Sequence, residues 1–297
     1  MSLDPAKLQE PLRKLGKLIK DFPKRPSPEQ VHHLRTRARR IEAMLAALML
    51  TSRRNERRLL QELAPLRRKA GKVRDMDVLT GFSVSLHPDQ PEEQCLVELL
   101  EYLGAERYRQ CQKLRDSVRP HRRSIRRRLK RLSRFLDKGL RRARKQSDSG
   151  GEWPIDAAAV ALKLSSELAR WPALDAANLH SYRLKVKELL YVLQLAEEAD
   201  QGLVKSLVEV KDAIGEWHDW QELAGIAKEV LHHGAHCNLL KQIRSRVREK
   251  FDRALALTNA MRRQYLKGTS RDQRNVTGTK ATALKPPVVL AATSLAA

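Results

Sequence analysis

The chain has 297 residues and carries 59 lysines and arginines against 35 acidic residues, a net charge of +24. Its hydrophobic content of 41% is enough for a folded core and excludes wholesale disorder. Three cysteines without a CxxC pair favour a reducing compartment over a disulfide scaffold. No apolar run reaches the length of a membrane span, so we expect a cytoplasmic protein with a polyanionic partner.

The excess positive charge is uneven along the chain. The first 146 residues hold 38 basic and 17 acidic residues, whereas the remainder holds 21 and 18. We therefore expect the polyanion to contact mainly the first half.

Apolar residues recur at helical spacing almost throughout, which predicts an all-α fold. An amphipathic helix covers 8–22 and ends at the segment PKRPSP. Ser27 and Gln30 then form a capping-box pattern at the start of a second helix, whose apolar stripe runs to Leu48. Another helix follows in which Pro65 marks a kink or a restart.

Long helices over 91–118 and 120–146, separated or bent at Pro120, complete the first half. The best internal boundary is QSDSGGEWP at 146–154, because it combines small polar residues, two glycines and a proline. We expect a first helical half over 1–148, a second over 149–267 and a flexible tail over 268–297. The helices predicted beyond the boundary lie near 155–170, 178–199, 203–215, 219–233 and 238–266.

An internal repeat links the two halves. The segment VHHLRTRARRI beginning at Val31 aligns with LHSYRLKVKEL beginning at Leu179, an offset of 148 residues. Further on, AGKVRDMDVL aligns with IGEWHDWQEL, an offset of 144 residues. Two motifs in the same order at nearly constant offset predict two pseudo-symmetric bundles of about four helices each around a shared basic groove.

The first repeated motif places cations beside an apolar stripe. Residues at i, i+3 and i+7 share a helix face, which groups His32, Arg35 and Arg39. The second copy groups His180, Arg183 and Lys187 in the same way, while Arg37 and Lys185 lie on the other flank of each stripe. Such a groove would hold hydrogen-bond donors only, so an anion is its natural occupant, although flanking cations often only cover apolar surface.

These residues resemble the CHAD domain family over roughly residues 8–266. The resemblance rests on the helical duplication, on a histidine opening a basic helix in each half, and on GKVRDMDVL and GEWHDWQEL. It implies two four-helix bundles around a basic cavity that binds inorganic polyphosphate, with association with polyphosphate granules. Carried over by position, the binding residues are His32, Arg35, Arg37, Arg39, Arg40, His180, Arg183, Lys185 and Lys187.

The second half departs from the family pattern. Glu188 and Leu190 stand where a basic residue is common, and Ser181 with Tyr182 replaces a basic-aliphatic pair. The second half is therefore expected to bind less strongly than the first.

The most basic segment is RPHRRSIRRRLKRLSRFLDKGLRRARK at 119–145, with Asp137 its lone acid. This density of cations exceeds what a solvated helix face needs, and it favours a phosphate-rich ligand along the helix. The candidate residues are Arg122, Arg126, Arg127, Lys130 and Arg134.

Other candidates favour structural roles. Asp75 and Asp219 are predicted to be helix N-caps, and Gly71 and Gly215 are predicted to end helices. The HHGAHC segment at 232–237 suggests a metal, but a helix end at Gly234 argues against it, so we expect no metal and no cofactor. The four tryptophans are expected to pack.

The sequence contains no Walker A, GxSxG, HExxH or triphosphatase ExExK motif, which favours a binding protein over an enzyme. Non-catalytic binding of inorganic polyphosphate is the leading hypothesis. The alternatives are a nucleic-acid-binding protein and an accessory subunit of a polyphosphate- or triphosphate-processing enzyme. Aromatic content of only 4% counts against single-stranded nucleic acid. A partner phosphatase or kinase, if one exists, is not indicated by the sequence.

Overall fold

The computed structural model describes residues 5–86, 93–147, 157–195, 199–231 and 237–266. Within these ranges the chain is all-α, as predicted. The helices are α1 (Pro5–Lys20), α2 (Pro28–Ala47), α3 (Arg54–Val84), α4 (Glu93–Ser147), α5 (Ala157–Ala169), α6 (Leu179–Leu195), α7 (Gln201–Val230) and α8 (Asn238–Met261).

The start of α2 is fixed by the predicted capping box. The Gln30 backbone N–H donates to Ser27 Oγ at 3.2 Å, and the Ser27 backbone N–H donates to Gln30 Oε1 at 2.9 Å. Pro28 occupies the first turn, where its missing N–H costs nothing. The helix therefore begins at the residue that the sequence indicates.

The predicted restart at Pro65 and separation at Pro120 are absent, whereas the alternative of a kink or bend at each proline stays a prediction. Pro65 lies inside α3 and Pro120 inside α4, which runs unbroken from Glu93 to Ser147. A proline in a helix interior costs about 3 kcal/mol. Fully buried apolar side chains lie on both sides of each proline, and their packing outweighs that cost.

The predicted helices over 203–215 and 219–233 form the single helix α7. Ile214, Trp217, Trp220 and Leu223 are all buried and keep the helical stripe continuous across the expected break. The predicted 238–266 helix is α8, continued by a π-helical turn over Arg262–Leu266.

The helices pack as two groups that share a core. Helices α1–α4, here the N-terminal helices, contact one another in the pairs α1–α2, α1–α4, α2–α3 and α3–α4. Helices α5–α8, here the C-terminal helices, pack as α5–α6, α6–α7 and α7–α8. Across the groups, α2 packs on α6 and α3 packs on α7, and one cluster of buried side chains continues through both groups.

A second buried cluster joins α3 and α4 to α7 and α8 at one end of the molecule. There the Phe82 and Trp220 rings stack with centroids 4.6 Å apart, and Trp217 contacts Phe251 in the main core. The prediction that these two tryptophans pack is confirmed. Together the two clusters fix the N-terminal and C-terminal helices relative to each other.

Several predictions fall outside the described residues. These are most of the boundary at 146–154, the tail over 268–297 and the His232–His236 part of the HHGAHC segment. Within the described ranges, no helix is long and apolar enough to cross a membrane.

Candidate functional site: a basic cluster between two repeated helix pairs

Basic side chains from both groups of helices converge where α2 meets α6 and α3 meets α7. The charges of Arg35 and Arg39 on α2 act on Lys187 of α6, and Arg35 also acts on Arg183. Arg74 of α3 and Lys211 of α7 belong to the same electrostatic neighbourhood. We name the following set the central cluster: Arg35, Arg39, Arg74, Arg183, Lys187, Lys211, His32, His180 and His218.

Each repeated glycine lies directly beneath an arginine of the central cluster. A Cβ atom placed on Gly71 would lie 3.5 Å from Arg35 Nε. One placed on Gly215 would clash with Arg183 Nη2 and lie 3.0 Å from its Cζ. Both glycines are inside α3 and α7, so the prediction that they end helices is wrong. The missing side chain of Gly215 instead lets the Arg183 guanidinium lie against α7, whereas Gly71 leaves room for a Cβ beneath Arg35.

Arg183 is held in this position by a further hydrogen bond. Its Nε donates to the Lys211 backbone carbonyl at 3.0 Å, and the side chain is only partly exposed. The guanidinium is thereby fixed in place before any ligand arrives, with donors left for an anion.

Asp75 and Asp219 accompany the arginines rather than cap helices. Both lie in helix interiors, so the prediction of N-caps is wrong. Burial raises the pKa of each carboxyl, and the neighbouring arginines oppose that rise. Burial and the charges of Asp75 and Asp219 raise the pKa of Glu222 to about 7. These acids offset part of the positive charge of the central cluster.

Lys187 and Arg39 show how crowded the cations are. Burial, and then the charges of Arg183 and Arg39, lower the pKa of Lys187 to about 6. Its side chain is only 7% exposed. Burial and the charge of Arg35 lower the pKa of Arg39 to about 10. At neutral pH, Lys187 is therefore mostly uncharged, whereas Arg39 keeps its charge.

Three histidines lie around these cations. The His180 and His218 rings are 4.4 Å apart between centroids, and the buried His180 Nδ1 has no hydrogen-bond partner among the described residues. Burial is the main cause that lowers the pKa of each ring. The next cause is the charge of His218 in the case of His180, and the charge of Arg183 in the case of His218. Burial and the charge of Arg74 lower the pKa of His32. These shifts favour the neutral form of all three rings, and protonation on binding of an anion would give each ring a second N–H donor.

Four members of this site were missed by sequence reasoning. Each repeated glycine has a basic residue four positions before it and a basic residue or histidine three positions after it. These residues share the glycine's helix face. They are Arg67 and Arg74 around Gly71, and Lys211 and His218 around Gly215. Arg67 lies at the edge of the site, where it pairs with Glu42 at 2.7 Å.

Three candidate residues of α2 and α6, namely Arg37, Arg40 and Lys185, lie outside the central cluster, and Arg40 is exposed. Arg37 Nη1 donates to the Lys14 backbone carbonyl at 3.1 Å. Lys185 pairs with Glu167 at 3.2 Å and with Glu188 at 3.0 Å. The flank of α2 that carries Arg37 therefore faces α1, and the flank of α6 that carries Lys185 faces α5.

Two cavities near the central cluster differ in the balance of their charged residues. The first has a volume of about 340 Å³ and is lined by α1, α2, α6 and α7, with Arg40 and Tyr191 in its wall. Tyr191 is one helix turn beyond Lys187. The second, of about 530 Å³, contains Asp75, Glu106, Glu222 and Glu229. In the first cavity Lys7 and Arg40 outnumber Glu10, whereas in the second cavity the four acids outnumber Lys72. The first cavity is therefore the more favourable of the two for an anion.

The candidate residues of α4 lie apart from the central cluster. Arg122 is turned inward, and its Nη2 donates to the Phe22 backbone carbonyl at 3.0 Å. Arg126, Arg127, Lys130 and Arg134 are exposed to solvent on the outer face of the helix.

Comparison with known proteins agrees with this architecture. The model of the CHAD domain family matches residues 7–228, and the chain belongs to that family. The crystal structure of the CHAD domain from the plant Ricinus communis superposes with a TM-score of 0.59 at 17% identity, covering 88% of this chain and 90% of that one. PptA from Streptomyces chartreusis gives a TM-score of 0.58 at 16% identity, covering 89% and 100%. No curated protein matches the sequence.

Proposed function

We propose that the central cluster binds inorganic polyphosphate without hydrolysing it. The observation that carries the proposal is the convergence of partly buried cations from α2 and α6. Among the described residues, Arg35, Arg39, Arg183 and Lys187 take part in no ion pair. Like charges held together away from water are costly until an anion neutralises them, and a linear chain of phosphates supplies one charge at each step.

The arginines are the groups that fit this ligand best. Arg183 is held over Gly215 by its hydrogen bond to the Lys211 carbonyl, so its orientation is restricted before binding, and Arg35 lies over Gly71. A guanidinium presents paired N–H donors that match two oxygens of one phosphate. This preorganisation reduces the entropy lost on binding.

Lys187 and the histidines respond to the ligand. A phosphate nearby favours their protonated forms and raises their pKa values. Binding then takes up protons, and each protonated group adds a charged donor. The resulting gain in affinity is fully present below the pKa of the free protein, about 6 for Lys187, and is lost as pH rises through the pKa of the complex.

The charge of the two cavities gives the groove a direction. We expect a long polyphosphate chain to leave the central cluster through the first cavity, past Arg40 and Tyr191. The acidic wall of the second cavity opposes a polyanion, so the chain end should stop near Asp75.

A binding role without catalysis suits the carboxyls of the site. The charges of Arg35 and Arg183 act on Asp75 and Asp219, so in the proposed site these carboxyls compensate part of the positive charge. Incubating the protein with polyphosphate and Mg²⁺ or Mn²⁺ should release no phosphate above background. Release that the central-cluster variant below abolishes would show an enzyme instead.

The test is binding of long-chain polyphosphate at physiological salt, with duplex DNA measured alongside. The variant Arg35→Ala/Arg39→Ala/Arg183→Ala/Lys187→Ala should bind at least 100-fold more weakly, since hydrogen bonds to charged groups contribute about 1.5–3 kcal/mol each. A matched control removes four exposed cations of α3 outside the site: Arg54, Arg57, Arg58 and Arg68, each to Ala.

The control should lose only the small, salt-sensitive share of affinity that long-range charge supplies. Equal losses in both variants would mean that net charge alone binds the polymer. DNA binding as tight as polyphosphate binding, and equally sensitive to the central-cluster variant, would favour the nucleic-acid-binding alternative. Localisation in the cytoplasm and at polyphosphate granules stays a prediction.

A further inference from the structure

The outer face of α4 carries a row of cations that the central cluster does not include. We name the α4 stripe the set Arg119, Arg123, Arg126, Arg127, Lys130 and Arg134. All six side chains are exposed. At 100° per residue they fall within an arc of about 100° on one face of the helix, and they extend over roughly 22 Å of its length. The stripe is therefore a straight and narrow cationic surface.

Among the described residues the side chains of the α4 stripe have no hydrogen-bond or ion-pair partners, unlike those of the nearby Arg122 and Arg128. Arg122 donates to the Phe22 carbonyl, and Arg128 pairs with Glu62 at 3.0 Å. No hydrogen bond or ion pair to another described residue involves the six stripe side chains. The arginines of this segment that can reach the protein do so, and the stripe cations remain available to a ligand.

The α4 stripe and the central cluster face different sides of the N-terminal helices. On the face of α4 opposite the stripe, Ile125, Leu129 and Leu132 are buried in the core that α4 shares with α1 and α3. The central cluster lies where α2 and α3 meet α6 and α7. A phosphate chain in one site therefore leaves the other site open.

We propose that the α4 stripe is a second, independent site for a phosphate polymer, so that one molecule links two polyphosphate chains. This inference rests on the proposed function of the central cluster. A thin phosphate chain can follow the straight stripe over its whole length, whereas the phosphates of a duplex wind around its axis. The stripe offers no aromatic side chain for stacking a base and no apolar side chain for insertion into lipid.

The two sites differ in how they respond to salt. The α4 stripe is fully hydrated, so its affinity comes from counterion release and falls steeply as salt rises. The central cluster is partly buried and uses oriented donors, so its affinity falls less. Linking of chains should consequently disappear at a salt concentration at which single-chain binding persists.

The experiment measures light scattering of the full chain mixed with long or short polyphosphate at low and physiological salt. The wild type should scatter strongly with long chains and weakly with short ones. The variant Arg126→Gln/Arg127→Gln/Lys130→Gln/Arg134→Gln should scatter several-fold less, yet bind short polyphosphate with an affinity within about twofold of the wild type. A control with four exposed α8 cations changed to Gln (Arg244, Arg246, Arg248 and Arg253) should scatter like the wild type.

The readings separate this inference from the proposed function. Wild-type scattering from the stripe variant, or an equal loss in the α8 control, would overturn the second site. Displacement of polyphosphate from the stripe by a much lower concentration of duplex DNA would overturn its assignment to polyphosphate. If the central-cluster variant still binds short polyphosphate like the wild type, the proposed function fails, whatever the scattering shows. Unchanged thermal unfolding of each variant confirms that it is folded.

Discussion

Arg39 on α2 and Lys187 on α6 occupy equivalent positions of the internal repeat, but they carry different charges at neutral pH. Burial and neighbouring cations lower both pKa values, to about 10 for Arg39 and about 6 for Lys187. The same environment therefore leaves the arginine charged and the lysine mostly neutral. At this pair of positions the N-terminal helices supply a permanent charge, and the C-terminal helices supply a charge that depends on pH and ligand.

Arg35 and Arg183, the two arginines that lie over the repeated glycines, also differ in how tightly they pack on them. The space over Gly71 would accommodate a Cβ at ordinary contact distance from Arg35, whereas the space over Gly215 is filled by Arg183. The C-terminal site is thus the more tightly packed of the two. Gly71 and Gly215 are equivalent in the repeat and each lies beneath an arginine, but only Gly71 has room for an added methyl group.

The largest effect is expected from Gly215→Ala. The added methyl group displaces the Arg183 guanidinium, and the loss of its charged hydrogen bonds weakens polyphosphate binding by roughly 10- to 100-fold. The loss of polyphosphate affinity caused by Gly71→Ala should be several-fold smaller than the loss caused by Gly215→Ala. The measurement is a binding isotherm for each variant, together with its thermal unfolding.

Two glycines of the same helices serve as matched controls for this prediction. A Cβ on Gly81 of α3 or Gly225 of α7 meets no atom within 4 Å. Alanine at either position should leave binding unchanged and stabilise the fold slightly, since alanine is the better helix former. Equal losses at Gly215 and Gly225 would contradict the role of Gly215 as a seat for Arg183.

A smaller effect is expected from pH. Wild-type affinity should fall by about tenfold between pH 6 and pH 8, because Lys187 must take up a proton to pair with phosphate and one pKa unit corresponds to a factor of ten. Lys187→Arg keeps a cation at every pH. The variant should bind more tightly than the wild type at pH 8 and about equally at pH 6. The same pH slope in both proteins would remove Lys187 from the account.

The acidic wall of the second cavity should have a modest influence. Glu106→Gln/Glu229→Gln removes two carboxylates that oppose an approaching polyanion, so affinity for long polyphosphate should rise about two- to threefold at low salt. Polyphosphate too short to extend past the central cluster should bind the variant and the wild type with the same affinity. An equal gain for both lengths would show that the second cavity gives the groove no direction.

The smallest effect is expected from the outward-facing flank of each basic helix. Arg37→Ala and Lys185→Ala remove side chains that contact Lys14, Glu167 and Glu188 rather than the central cluster. Each should change affinity by less than about twofold. A loss comparable to that of Arg39→Ala would mean that these side chains turn into the groove when polyphosphate binds.

The all-α fold, the family and the main basic helices could be predicted from the sequence. Helical periodicity and the internal repeat are both patterns of residue types that can be read directly from one sequence. Gly215 and Asp219 show the limit of that reasoning. Both are residue types that favour helix ends, so they indicated a break inside α7. The break is absent because Trp217 and Trp220 continue the buried stripe, and only the packed structure shows that Gly215 makes room for Arg183.

Membership of the site was harder to predict than membership of a helix. Arg37 and Lys185 share their helices with true members of the central cluster, and spacing alone could not show that α1 and α5 cover that flank. Arg74 and His218 were detectable in principle, because both follow a repeated glycine by three positions. The alignment paired unlike residues there, a guanidinium with an imidazole, and the shared role of donor was overlooked.

The most direct test of the central claim is the pKa of the Lys187 amine, measured by NMR on selectively labelled protein with and without polyphosphate. We expect a pKa of about 6 for Lys187 in the free protein and a rise of at least one unit in the complex. An unchanged pKa in protein that is saturated with polyphosphate would place the ligand outside the central cluster and contradict the account.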